Sequence, residues 1–205
     1  MNKTIWLFAG LLSMTLAVSA TDIRIDMGSG YSLGLSSYFK ESETAIPLAD
    51  QTDIQRSRTR LGFSFRLGAA VPVWKKIFVA PAFGVTYGHK QNEYVPAGNT
   101  DDATTKNYYM RLFTSELNVG YDYLSLANGW DFYGLVGLTH QAMKGDKELL
   151  ISNKNSIGWQ AALGFRFQQV RRLGFQALTF YRASMEKPNL SYAGLVLSIF
   201  YRLTI

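Results

Sequence analysis

The sequence predicts an all-β fold: an eight-stranded antiparallel up-and-down barrel that crosses a membrane. Three observations predict it. An export signal opens the chain, eight successive runs then alternate hydrophobic and polar residues, and the connections between those runs alternate between short and long.

Residues 1–20 have the pattern of a secretory signal peptide. Lys3 supplies a positive charge, Ile5 to Leu12 form an apolar core, and Val18-Ser19-Ala20 fits the small-x-small cleavage pattern. We expect cleavage after Ala20, which leaves residues 21–205 as one barrel domain. The alternative is a retained membrane anchor, but the apolar stretch is short for one.

Composition excludes several other classes of protein. The 205-residue chain has a mean hydropathy of −0.03, and after residue 20 no apolar run approaches the roughly 18 residues of a membrane-spanning helix. The absence of Cys removes disulfides, thiolate catalysis and Cys-ligated metals. A net charge of +6 and a pI near 9.5 would suit a nucleic-acid binder. Export argues against that partner, and we expect no nucleic acid.

The first run shows the alternation clearly. Between positions 23 and 39, large apolar residues mostly take the odd numbers, and small, polar or charged residues mostly take the even ones. Successive strand residues point to opposite faces, so this strand has one apolar and one polar face. Each run is long enough to cross a bilayer at a tilt, which takes about 9–11 residues. The other seven runs cover 60–71, 79–88, 113–123, 130–141, 156–168, 173–184 and 192–205.

Two runs are less regular than the others. Leu135 in the fifth run, and Leu178 and Phe180 in the seventh, fall on the nominally polar face. We retain both runs as strands.

The connections alternate in length. Residues 72–76, 125–129 and 170–173 are short, 40–57, 89–106 and 144–154 are longer, and 186–189 complete the series. With both termini on the short-turn side, this layout is typical of outer-membrane barrels. We expect the short turns to face the periplasm and the long loops to lie outside the cell.

The polar face predicts a closed and filled interior. Charged residues lie in mid-strand on that face, and a sheet in lipid cannot leave an open edge. We expect Asp26 and Glu116 to neutralise arginines such as Arg66, Arg166 and Arg182, which disfavours an open channel. Arg60 is assigned to the same face. A secreted soluble β-sandwich is the alternative. The predicted interior charge network is Arg24, Asp26, Arg66, Glu116, Arg166, Arg182 and Arg202.

The closing run, residues 194–205, resembles the C-terminal insertion signal of small outer-membrane barrels, although it ends in Ile205 where Phe is usual. The whole mature chain resembles the eight-stranded OmpX/OmpA-like barrels, which include the attachment-invasion and opacity-type proteins. This resemblance implies an integral outer-membrane protein with a role in adhesion, invasion, serum resistance or envelope stability.

Two groups of residues are expected at the membrane surfaces. Basic residues near the outer rim lie at the height of lipopolysaccharide phosphates, and Arg111 falls on the lipid-facing register. Ordinary rim charge is the alternative. Aromatic residues near the short turns fit an interfacial girdle. The rim set is Arg58, Arg60, Lys90, Lys106 and Arg111; the girdle is Trp74, Tyr123, Trp130 and Tyr201.

No residue pattern predicts catalysis or a cofactor. Gly30 to Gly34 match the G-x-S-x-G pattern but lie within a strand, where these residues act as small filler. His89 and His140 lie near outer strand ends without a recognisable nucleophile motif, and no metal or cofactor site is expected. A lipid A-modifying enzyme and a narrow channel are less favoured functions.

The long loops are the leading candidates for function. Residues 40–57 and 89–106 could bind a host-cell or matrix ligand, or act only as solvated caps. The leading expectation is a monomeric, non-catalytic protein for surface attachment, colonisation or host interaction. The alternative is a structural protein of the envelope that contacts outer-membrane lipid and lipopolysaccharide.

Overall fold

The computed structural model describes residues 22–35, 42–48, 51–96, 104–145, 154–168, 172–186 and 190–204. The predicted signal peptide and Ile205 lie outside the described residues. In the described ranges, no helix is long and apolar enough to cross a membrane, a finding that concerns helices alone. The strands are β1 (Asp22–Gly34), β2 (Ser42–Leu48), β3 (Gln51–Trp74), β4 (Ile77–Val95), β5 (Thr104–Ser125), β6 (Trp130–Gly145), β7 (Lys154–Gln168), β8 (Leu173–Ser184) and β9 (Ser191–Thr204).

The sheet closes through β1. This strand pairs antiparallel with β9 along its whole length and with β3 from Arg24 to Tyr31, while β3 to β9 pair in sequence order. The ring therefore contains eight strands, and β2 pairs only with β3, outside the ring. The predicted eight-stranded antiparallel up-and-down barrel is confirmed.

The two faces of the barrel differ in chemistry. Outward side chains such as Met27 and Leu163 are 69% and 66% exposed, whereas inward Glu116 and Gln160 are 0% and 1% exposed. An exposed apolar surface of this extent is stable in lipid and unstable in water. The barrel wall is therefore a lipid-facing surface around a polar interior.

An apolar layer interrupts that polar interior. Leu135, Leu178 and Phe180, the three large residues on the nominally polar face, are buried inside the barrel together with Phe78 and Phe200. They fill space between groups of charged residues.

Inward aromatic rings lie over glycines of the neighbouring strand. Each ring occupies the space that a glycine side chain would need, because a Cβ there would lie only 2.2–2.5 Å from the nearest ring atom. The missing side chains let large rings fit into a narrow barrel. The directly paired residues are Phe78 with Gly120, Tyr133 with Gly164, Phe200 with Gly174, and Phe180 with Gly194.

A β-bulge corrects the predicted facing of part of β3. Leu61 pairs with Gly88 and Ser64 with Thr86, so β3 carries one extra residue between these pairs. Above the bulge the facing is inverted: Arg60, assigned to the interior, is exposed, and Leu61, which the alternation of the run 60–71 puts on the lipid face, is buried. A second irregularity lies between Pro72 and Trp74. Next to it, Val71 is buried, although the same alternation puts it on the lipid face.

The prediction that residues 40–57 and 89–106 form loops was wrong over much of their length. The strand β2 and the start of β3 lie within the first range, while β4 continues to Val95 and β5 begins at Thr104. These segments pair with one another, so their backbone groups bond within a sheet that extends beyond the ring. We call residues 42–48, 51–60, 88–95 and 104–110 the projecting sheet.

Two of the predicted short turns lie within the described residues. Trp74 pairs with Ile77 across Lys75 and Lys76, and the other turn joins Ser125 to Trp130. The third lies largely outside the described residues. The strand β1 begins and β9 ends at this side of the barrel, where Asp22 lies opposite Thr204.

The Gly164→Val substitution should destabilise the barrel by about 1–3 kcal/mol, because its Cβ would clash with the Tyr133 ring in a packed interior. The Gly134→Val control faces lipid, where the nearest side-chain atom is 3.7 Å from the added Cβ, and should change stability by less than about 0.5 kcal/mol. Urea unfolding in lipid vesicles, followed by heat-modifiable gel migration, measures both. Equal losses of stability would contradict the packing argument.

Candidate functional site

A cluster of buried charges crosses the middle of the barrel. Arg66 Nη1 donates to Asp26 Oδ1 at 2.6 Å, and Arg66 Nε lies 3.5 Å from Glu116 Oε2. Arg182 pairs with the other Glu116 oxygen and donates from Nε to Gln160 Oε1 at 2.7 Å. Gln160 Nε2 donates to Glu116 Oε2 at 3.0 Å. We call these five residues the central cluster.

Small residues make room for the central cluster. A Cβ on Gly68 would lie 2.6 Å from Asp26 Oδ2, so a larger residue there would displace the Asp26 or Arg66 side chain from the pair. On the intervening strand β4, Ala82 and Gly84 leave space between Arg66 and Glu116. Glu116 thus joins β3 to β8 through arginines on both sides. Buried ions are costly unless they are paired and hydrogen-bonded, and this carboxylate meets both conditions.

A second group of charges lies nearer the turn end of the barrel. Arg166 pairs with Asp122 and also with Asp131, where its Nε lies 3.2 Å from Oδ2. We expected Asp26 or Glu116 to neutralise Arg166, which was wrong because Asp131 is directly opposite Arg166 in the strand register. Arg202 pairs with Asp22. Asp122 and Asp131 lie on the polar faces of predicted runs but were not matched to an arginine, and Asp22 lies just before the first predicted run.

Arg24 differs from the other interior arginines. It makes no ion pair with any carboxylate of the described residues, and its guanidinium carbon lies 5.1 Å from the centre of the Phe78 ring. The structure therefore divides the predicted network into the central cluster, the paired arginines near the turns, and Arg24.

The outer rim carries cations on the lipid-facing side. Arg58 and Arg60 are exposed there, because the bulge below them turns both outward. Arg111 is opposite Tyr87 on one side and Lys144 on the other. Tyr87, Tyr109, Arg111 and Lys144, with Gly88, Met110 and Gly145, line a cavity of about 360 Å³ that we call the rim pocket.

Cations and aromatic rings alternate in the rim pocket. The Arg111 guanidinium carbon lies 5.9 Å from the centre of the Tyr87 ring, and Lys144 Nζ lies 5.5 Å from that of Phe113. The sequence analysis did not include Tyr87, Tyr109 and Lys144 in the rim set. Tyr109 is two residues from Arg111 on the same strand, and Tyr87 and Lys144 continue the lipid-facing alternation of their own strands. The alternation alone would therefore have placed all three on the same face of the barrel as Arg111. Lys90 and Lys106 lie instead on the projecting sheet, above the rim pocket.

The predicted girdle residues lie on the outside at the turn end. Trp74 is 64% exposed, and Trp130 packs against Phe167 with ring centres 4.7 Å apart. Tyr123 and Tyr201 are also exposed on the outer face. The barrel thus has aromatic residues at the membrane interface of its turn end, and the rim pocket lies at the other end.

The two histidines lie apart from each other. His89 is opposite Arg60 and Tyr109, and His140 is opposite Ser115 on the lipid-facing side. No hydrogen bond joins His140 to Ser115 in the structure. Among the described side chains, no group of three or more His, Cys, Asp or Glu is arranged to hold a metal ion.

The fold is similar to those of known outer-membrane barrels. Neisserial surface protein A is 15% identical, with 89% of this chain and 97% of that chain covered and a TM-score of 0.51. The N-terminal barrel domain of Pseudomonas aeruginosa OprF is 12% identical, with 89% and 98% covered and a TM-score of 0.52. Ail, the attachment invasion locus protein of Yersinia pestis, is 14% identical, with 89% and 99% covered and a TM-score of 0.50.

At these identities, the likeness shows the fold alone. No protein-family model matches the sequence, and no curated protein matches it significantly. The resemblance to small eight-stranded outer-membrane barrels is confirmed at the level of structure. Together with the apolar outer belt, the fold supports an integral protein of the bacterial outer membrane.

The Glu116→Gln substitution should destabilise the barrel by about 3–5 kcal/mol, because it leaves Arg66 and Arg182 without a shared buried counter-charge. The matched control is Glu93→Gln, whose exposed pair with Arg56 at 3.9 Å should be worth at most about 1 kcal/mol. Urea titration of both variants in lipid vesicles measures the difference. A Glu116→Gln barrel as stable as the control would show that the central cluster does not stabilise the barrel.

Proposed function

We propose that this protein is a non-catalytic outer-membrane barrel that binds lipopolysaccharide phosphates at its outer rim and so contributes to envelope integrity. The observation that carries the proposal is the rim pocket. It combines two lipid-facing cations with aromatic side chains at the outer end of the apolar belt.

The charges of the rim pocket are unbalanced. Arg111 and Lys144 are direct neighbours across β5 and β6, and neither forms an ion pair with a carboxylate of the described residues. Two adjacent cations repel each other. An Arg at the bilayer midplane would cost about 2–4 kcal/mol, so the headgroup level is the favourable height for these cations. Phosphate groups at that level would offset the repulsion.

The chemistry of the side chains suits a phosphorylated glycolipid. A guanidinium binds a phosphate through two parallel hydrogen bonds, and an ammonium adds a mobile point charge. Tyr87 and Tyr109 offer an apolar body with a polar tip, which favours an interfacial position. Arg58 and Arg60 extend the same positive surface along β3.

A second candidate function is attachment to a host or surface ligand through the projecting sheet. The strands β3, β4 and β5 contain 24, 19 and 22 residues, against 12–16 in β1 and in β6 to β9. The extra length forms a paired sheet, which can hold a binding surface rigidly. Although Ail is named for attachment and invasion, this chain shares only its fold, so the proposal rests on the sheet.

The Arg111→Ala/Lys144→Ala variant should bind lipopolysaccharide at least about tenfold more weakly, because hydrogen bonds to charged groups contribute roughly 1.5–3 kcal/mol each. Titration of barrels in phospholipid nanodiscs with lipopolysaccharide measures this. The Lys75→Ala/Lys76→Ala variant removes the same charge at the opposite turn and should bind like the wild type. Equal affinity of all three proteins would refute the rim proposal.

Shortening 40–57 and 89–106 to tight turns should abolish attachment by a non-adherent bacterium that displays the protein, provided that the projecting sheet binds the ligand. Attachment to epithelial cells and matrix proteins is counted at equal surface levels. A Lys90→Gln/Lys106→Gln variant keeps the sheet and tests its charge alone. Undiminished attachment of the shortened barrel would exclude the projecting sheet as the binding site.

The absence of catalysis is also part of the proposal. We expect His89→Ala and His140→Ala to leave lipid A composition unchanged, because the structure shows no hydrogen bond between His140 and the neighbouring hydroxyl of Ser115. Mass spectrometry of lipid A from cells that express each variant tests this. A loss of deacylated or modified lipid A in either variant would identify an enzyme.

A further inference from the structure

The turn end of the barrel contains a polar cavity that the proposed function does not use. Its volume is about 330 Å³, and its wall includes Arg24, Phe78, Asp122, Arg166 and Arg202. We call it the vestibule. It lies at the opposite end from the rim pocket, where short turns and both chain ends meet.

The vestibule is a blind pocket. Between it and the central cluster lies a void of only about 20 Å³, bounded among others by Asp26, Arg66 and Tyr133. Farther along the barrel, side-chain contacts cross the interior between Glu116 of β5 and Arg182 of β8, and between the hydroxyls of Thr114 of β5 and Tyr192 of β9. A solute that enters from the turn end therefore meets a wall, which suits binding better than passage.

The cations of the vestibule exceed its carboxylates. Lining it are Arg24, Arg166, Arg202, Lys75 and Lys76, against Asp22, Asp122 and Asp131. All three carboxylates are already used, since Asp22 pairs with Arg202 and the other two with Arg166.

Arg24 is the arginine of the vestibule that has no ion pair within the described residues. Its side chain is partly buried, and the described residues offer it the Phe78 ring but no carboxylate within ion-pair distance. The guanidinium carbon of Arg166 lies 5.5 Å from the centre of the same ring, so two guanidinium groups pack against one phenylalanine. A guanidinium in such a place is stabilised by an anion.

We propose that the vestibule binds a small oxyanion, a carboxylate or phosphate group, with Arg24 as its principal ligand. The planar guanidinium offers two parallel donors to such a group. The volume fits a small molecule or the end of a larger one, at the low end of the roughly 300–1,000 Å³ usual for ligand pockets. The ligand enters from the side of the short turns, which the topology places in the periplasm.

The test is calorimetric titration of the full barrel in phospholipid nanodiscs with sodium phosphate and, separately, with sodium acetate. Chloride keeps the ionic strength constant. The protein carries Arg111→Ala/Lys144→Ala, so that phosphate binding at the rim does not contribute and failure of the rim proposal is a separate result. We expect saturable binding at one site per barrel for at least one of the two anions. Binding of acetate only assigns a carboxylate ligand, and binding of phosphate only assigns a phosphate ester.

Adding Arg24→Gln should weaken that binding at least about tenfold, since a charge-assisted hydrogen bond contributes roughly 1.5–3 kcal/mol. The matched control is Arg172→Gln, an exposed arginine at the same end of the barrel that does not line the vestibule, and it should change affinity less than twofold. Heat-modifiable gel migration verifies that both variants fold. The proposal is overturned if neither anion binds saturably, or if Arg24→Gln binds as tightly as Arg172→Gln.

Discussion

The closure of the sheet through β1 is the constraint on which the rest of the structure depends. In lipid, a backbone group without a hydrogen-bond partner costs several kcal/mol, so a strand cannot leave an edge open. The strand β1 removes both edges by pairing with β9 and β3 at once. Closure at eight strands leaves an interior that is only wide enough for side chains. The stability of the barrel therefore depends on which side chains fill this interior.

The interior is filled in two ways, and each needs small residues on a neighbouring strand. Rings such as Phe78 and Tyr133 lie over glycines, while the Asp26–Arg66 pair lies over Gly68. Glu116 links the two arginines of the central cluster, because it pairs with Arg66 of β3 and with Arg182 of β8. Among the described residues, only a void of about 20 Å³ lies between the vestibule and the central cluster, so we expect solutes to interact with the two ends of the barrel and its rim.

Period-two alternation was enough to predict the ring, and it correctly placed even Leu135 and Phe180 inside. It failed at Arg60 and Leu61, because a single extra residue in β3 inverts the facing and leaves no mark in hydrophobicity. The partners of Arg166 needed the strand register, which alternation does not contain. The sequence analysis did not predict the projecting sheet, because strands outside the membrane need no apolar face and so lack the alternation by which the other strands were identified.

One rule about charge explains both ends of the molecule. Cations in the middle of the barrel have internal carboxylates: Arg66 and Arg182 share Glu116. Arg111 at the outer rim and Arg24 in the vestibule lie against aromatic rings and, among the described residues, have no carboxylate within ion-pair distance. A ring offsets only part of the cost of removing a guanidinium from water, so an anion bound at either position would add stabilisation. The two proposals accordingly assign lipid phosphate to the outer end of the barrel and a small oxyanion to the turn end.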